Sequence, residues 1–245
     1  MDESFARKTN LFGAWCMVAY IMLLLIGWMV VAGFVPFHLP SASADQIATI
    51  ISNNVNRIRC GMILVMWGAA VFIPVTATMA DFVARFEGRS GPLTRITTMA
   101  GYANAMRTFY PPLWWIMSTW RVTERSADTA RLLNDMAWLQ FVGGVSLVTP
   151  MLIVMALVAF NDKDKTTSAF PRWFGYQSIM TFMLLLPDQM LFFFKSGPFG
   201  WNGIVGGWIP VAVFCGWLLT TFYLMRRALL RGDTVASEPR VSLPV

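Results

Sequence analysis

The sequence predicts an all-α fold, a polytopic membrane helical bundle of six transmembrane helices with several proline kinks. Three observations predict it. Hydrophobic residues make up 56% of the 245 positions and charged residues 13%, with a mean hydropathy of +0.56. A soluble domain ordinarily carries about 25% charged residues. The apolar residues gather into runs long enough to cross the roughly 30 Å hydrocarbon layer as helices. Finally, the nineteen Lys and Arg residues scatter among the intervening loops and form no basic stripe. The net charge of +6 therefore reads as orientation on a membrane, not nucleic-acid binding.

The six spans fall at about 12–36, 60–82, 96–118, 135–160, 173–194 and 203–225, within one transmembrane domain over 1–231. The first is followed by Ala42-Ser43-Ala44, which resembles a signal-peptide cleavage site. Its apolar run of about 25 residues outlasts the 7–15 of a signal core, so an uncleaved first helix is expected. His38, the one histidine, lies just beyond it in Val-Pro-Phe-His-Leu-Pro, where a structural or solvated role is expected. Segment 44–58 then carries Ile47, Ile50, Ile51, Val55 and Ile58 at helical spacing, which predicts an amphipathic helix on the membrane or capping the bundle.

The second span contains Pro74 and ends at Asp81, four residues before Arg85, the spacing of an i,i+4 ion pair. The third holds Asn104, Arg107 and Pro111-Pro112, followed by Trp114 and Trp115. The fourth begins at Asp135, passes Trp138 and Gln140, and contains Pro150. The NDKDK stretch at 161–165 reads as a solvated turn, since it lacks the remaining ligands of a calcium loop. The fifth span carries Pro187, Asp188 and Gln189. Pro198 stops it, Gly203, Gly206 and Gly207 give the sixth a smooth start, and Pro210 follows. Each proline removes a backbone donor, so these helices are expected to kink or unwind. The polar tail, 232–245, reads as disordered and cytoplasmic.

On six spans, the amino end, the 83–95 and 161–172 loops and the tail share one side and hold twelve Lys and Arg, against six on the other. That bias predicts cytoplasmic termini. Cys16, Cys60 and Cys215 show neither CxxC nor Cys/His spacing, so no disulfide framework, metal or cofactor is predicted.

The candidate site is built around the charges inside the spans. At 1.5 Å of rise per residue, Asp188 lies about 22 Å and Arg107 about 16 Å above the cytoplasmic face. An unpaired ion at such depths costs at least ~2.5–3.5 kcal/mol. An Arg107–Asp188 pair is therefore expected, with Asp135 as competitor or third member; the alternative is a protonated, neutral Asp188. Asn104, Gln189, Asn134 and Gln140 fall near the same level, as do Tyr110, Trp114, Trp115, Trp120 and Trp138. A polar centre walled by aromatic rings suits a pocket for an amphipathic or aromatic molecule. Equally, the charges would staple helices while the tryptophans form an interfacial belt.

Three functions are open at this point. The first is binding or transport of a small lipophilic or aromatic molecule in an outer-leaflet pocket. There Arg107 takes an anionic or carbonyl group, Asp188 and Asp135 set orientation, Asn104 and Gln189 complete the polar lining, and Trp114, Trp115 and Trp138 stack. The second is a membrane-embedded acid-catalysed enzyme, terpene-cyclase-like or an isomerase, with Asp188 as its candidate catalytic acid. The third is an accessory subunit without chemistry. One histidine excludes the His clusters of membrane desaturases. The expected partners are the lipid bilayer and a small lipophilic ligand, with no nucleic acid; oligomeric state is not legible.

The stretches FPRWFGYQS (170–178) and FFFKSGPFGWNGIVGGWIP (192–210) resemble an uncharacterised bacterial family of multi-pass inner-membrane proteins. The likeness covers about the last third of the chain. It implies a six-span protein of the bacterial inner membrane and brings no activity or site residues.

Overall fold

The computed structural model describes residues 3–88, 90–162 and 168–231, and among these the chain is wholly helix and loop. The tail at 232–245 and residues 163–165 of the NDKDK stretch lie outside the described residues. Helix α1 (Glu3–Leu25) winds on through a π-helical turn, Ile26–Val31. It lies along α3 (Val55–Glu87) because two glycines let the backbones meet. A Cβ on Gly27 would stand 2.7 Å from the carbonyl of Gly61, and a Cβ on Gly61 would strike the carbonyl of Gly27.

Helix α2 (Ala44–Asn53) is the amphipathic segment. Ser43 and Gln46 close a reciprocal capping box at its start. Ile47 and Ile51 are each 1% exposed, and α2 packs on α5 (Ala127–Phe141), so it caps the bundle. It is shorter than 44–58: the helix breaks at Asn54, and Val55 and Ile58 already belong to α3.

Helices α3 and α4 (Pro92–Thr119) run antiparallel with both ends tied. The Glu87 carboxylate accepts from the backbone N–H groups of Gly91, Leu93 and Thr94 and from the Thr94 hydroxyl. At the far end Arg59 donates to the Thr119 hydroxyl and carbonyl, at 3.0 and 2.8 Å. Asp81 pairs with Arg85 at 2.7 Å, as the spacing predicts, and also accepts from Asn10.

Beyond α5 the chain tightens into a 3₁₀ segment, Gly143–Val148, before α6 (Thr149–Asn161). Helix α7 (Arg172–Leu185) likewise gives way to 3₁₀ at Leu186–Phe192. A short 3₁₀ turn (Gly197–Phe199) and a π-helical turn (Ile204–Trp208) lead into α8 (Ile209–Arg231). The predicted unwinding thus appears at Pro150, Pro187 and Pro210, each beside a change of helical type. Pro74 and Pro111-Pro112 stay inside continuous α-helix.

Among the described residues four helical stretches are long and apolar enough to cross a membrane, in place of the six expected: Ser4–Val31, Val55–Glu87, Ala127–Asn161 and Gly197–Arg231. Helix α4 has the length, at 28 residues, but Thr94, Thr97, Thr98, Asn104, Arg107 and Thr108 dilute its apolar character. Helix α7 has only 14 residues before its geometry changes.

The bundle has two distinct ends. At one, Arg226 lies over the Trp15 ring and Asn10 meets Asp81, gathering the ends of α1, α3 and α8. At the other, the 33–43 loop, α2, the start of α5 and the 195–203 turn come together around Trp201.

Candidate functional site

Arg107 is partly buried on the inner side of α4. Asn104, one turn earlier, accepts from its Nε and Nη2 at 3.1 and 3.0 Å. Its Nη1 donates to the carbonyl of Phe141. Phe141 ends α5, and a helix leaves its last carbonyls without intrahelical partners. The arginine therefore caps a helix end from outside.

The expected Arg107–Asp188 ion pair is not made. Among the described residues the ion pairs within 4.0 Å are Asp81–Arg85, Arg121–Glu124 and Asp128–Arg131. Arg107 and Asp188 stand close enough to feel each other's charge without touching. Asp188 is 0% exposed; Gln189 reaches its Oδ2 at 3.5 Å, and Oδ1 has no hydrogen-bond partner.

The two 3₁₀ segments meet beside this pair. Gln189 donates to the carbonyl of Gly143 at 2.9 Å. Gly143 is flat against Phe192, and Gly144 against the arginine stem: a Cβ on Gly144 would lie 2.8 Å from Arg107 Cγ. Tyr20, fully buried, shares a 3.2 Å hydrogen bond with Thr108. A cavity of about 50 Å³ is bounded by Arg107, Trp28, Phe141, Val145, Leu185 and Phe214 among others. Trp28 Nε1 and Asn104 Nδ2 are buried nearby without a hydrogen-bond partner. Sequence reasoning missed Tyr20, Trp28, Phe141 and the Gly143-Gly144 pair. Two adjacent glycines inside an apolar run were the available signal.

The tryptophans divide. Trp115 and Trp138 are 1% and 0% exposed and pack edge to face, 5.3 Å between centroids. Trp138 also lies parallel to Trp201 at 6.0 Å and contacts Trp28, Phe34 and Phe37. These rings fill space with one another. Trp114 is elsewhere, donating to Gln140 at 2.7 Å. The cluster is pinned by Asn134, whose Oδ1 faces Trp115 Nε1 at 3.3 Å and His38 Nδ1 at 3.1 Å. Only a ring protonated at Nδ1 can donate there. Trp201 closes the group by donating to the His38 carbonyl at 2.6 Å. His38 is thus structural and buried, and burial pushes its pKa below the usual value.

Asp135 belongs to neither group. It is half-buried, accepts from Asn134 Nδ2 at 3.4 Å, and faces a separate open cleft of about 450 Å³ at the Trp201 end. One expected pocket is therefore three places: an arginine-headed cavity, a packed aromatic core and an open cleft at the Trp201 end. Comparison with protein-family models, with curated proteins and with solved structures found no match.

Proposed function

We propose that this multi-pass membrane protein binds, or carries across the membrane, a small lipophilic molecule bearing one acceptor head group. The observation that carries the reading is the cavity at Arg107, whose bounding side chains are apolar or aromatic apart from the guanidinium and the Cys215 thiol. Asn104 and the Phe141 carbonyl already hold that guanidinium in place, so a carbonyl or anionic oxygen meets an oriented donor. At about 50 Å³ the cavity admits a head group of a few atoms. A larger molecule requires the cavity to widen, and the segment Gly143–Val148, which gives it Val145 and Val148, is a helix break of the kind that lines binding sites in membrane bundles.

The test is mass spectrometry of organic extracts from purified protein, beside a mock preparation and an Arg107→Gln variant. A discrete compound present in the wild type and lost from the variant is expected. Bulk phospholipid alone in all three would overturn the reading in favour of an accessory subunit.

A second reading rests on one atom. Asp188 Oδ1 is buried without a partner, the state of a carboxyl group awaiting a proton acceptor or donor. In the enzyme reading Asp188 is the acid, and Asp188→Asn abolishes turnover of a bound lipophile while leaving its binding intact. Loss of binding together with turnover would refute it. The lysine and arginine bias, together with the gathering of the ends of α1, α3 and α8, supports cytoplasmic termini. The likeness in the last third supports a bacterial inner membrane.

A further inference from the structure

The open cleft at the Trp201 end is not part of the cavity at Arg107, and its chemistry differs. Its charged lining is balanced: Asp128 and Asp135 against Arg131 and Lys195. Asp128 and Arg131 satisfy each other at 3.0 Å. Asp135 and Lys195 do not: both line the cleft, yet among the described residues no ion pair within 4.0 Å joins them. An unclosed gap between an acid and a base is filled best by a molecule carrying both charges. A purely anionic head would meet two carboxylates and a purely cationic one two bases.

Apart from Ser41 the remaining lining is apolar or aromatic, including Leu139, Leu191, Phe192 and Trp201. Beside it Phe192, Phe193 and Phe194 are 52%, 76% and 47% exposed, and Leu132 is 59% exposed. Exposed aromatic side chains next to a lysine and a tryptophan are the pattern of a membrane–water boundary, where Lys extends to the head groups. The volume of about 450 Å³ is that of a small-molecule site.

We infer that this cleft binds the head group of a zwitterionic phospholipid with a primary amine. The ammonium donates to Asp135, the phosphate accepts from Lys195, and the acyl chains leave over Phe192–Phe194. A trimethylated amine keeps the charge but cannot donate a hydrogen bond, so the Asp135 contact distinguishes it.

The experiment is native mass spectrometry of the purified full chain, loaded with an equimolar mixture of phosphatidylethanolamine, phosphatidylcholine and phosphatidylglycerol. Phosphatidylethanolamine is expected to be retained about tenfold over the other two, the ratio one charge-assisted hydrogen bond supplies. Asp135→Asn with Lys195→Gln is expected to level the three, whereas Arg121→Gln, at an exposed ion pair away from the cleft, leaves the preference unchanged. Leu139→Trp, which fills the cleft and spares every charge, must also abolish it; this variant decides the matter should the charge variants fold poorly. Equal retention of the three lipids by the wild type, or a preference that survives Leu139→Trp, overturns the inference.

Discussion

A double-mutant cycle separates the partner that Arg107 has from the one its charge suggests. Asn104 Oδ1 accepts two bonds from the guanidinium, at 3.1 and 3.0 Å, but offers them one oxygen. They count as one charge-assisted interaction, about 1.5–3 kcal/mol. Asn104→Leu keeps roughly the volume and removes the acceptor, so it should destabilise by that amount. With Arg107→Gln already present, most of the penalty should vanish, giving a coupling of similar size. The cycle between Asp188→Asn and Arg107→Gln should give a smaller coupling than that, because no ion pair within 4.0 Å joins the two side chains. A closed buried pair would instead lose about 3–5 kcal/mol on removal of either member. Unfolding by SDS titration of the detergent-solubilised protein, followed by far-UV circular dichroism, reads all of these free energies. A larger coupling for Asp188 than for Asn104 would refute the geometry described here.

Gly61→Ala should destabilise by about 1–3 kcal/mol, since its Cβ meets the Gly27 carbonyl, a backbone atom that cannot step aside. Gly216→Ala, with nothing within 4 Å of the added carbon, should be neutral or mildly stabilising in the same titration. His38 gives a pH signature. Its folded pKa lies below the unfolded value of roughly 6.5, so the unfolded chain binds the extra proton. The stability it contributes is full above that value and lost as pH falls through it toward the folded pKa. Melting temperatures from pH 8 to 5 should therefore fall more for the wild type than for His38→Gln, and parallel curves would remove His38 from the account. For topology, an alkaline-phosphatase fusion near Ser126 should be active and one after Arg231 inactive; the opposite pattern would invert the orientation.

The apolar runs, an amphipathic helix within 44–58 and the Asp81–Arg85 pair were all legible in the sequence, because each depends on spacing along one helix. The burial of Asp188 was legible too, from its apolar neighbours. The absence of an ion pair to it was not. Arg107 takes the Phe141 carbonyl, which becomes available only because α5 stops at 141, and no residue type announces that stop. Counting charges found the wrong acceptor for the same reason. The tryptophans failed differently: aromatic content shows how much ring surface exists, and cannot say whether Trp115 and Trp138 line a space or fill it. Asp135 was grouped with Arg107 by depth alone, while its position around α5 turns it toward Lys195 and the cleft. Four spans qualify where six were read because α4 is long yet polar, and α7 is apolar yet short.

The hydrogen bond from Trp201 to the His38 carbonyl joins residues 163 positions apart. A chain made from its amino end presents His38 long before the indole that covers it exists. During synthesis the loop after α1, and the aromatic rings beneath it, wait open while α3 to α7 are laid down. Closure belongs to the last stage of assembly, when the turn before α8 arrives. A nascent chain stalled short of residue 201 should keep that end accessible to reagents in the aqueous phase, so the order of manufacture, and not only the final packing, decides when the interior is sealed.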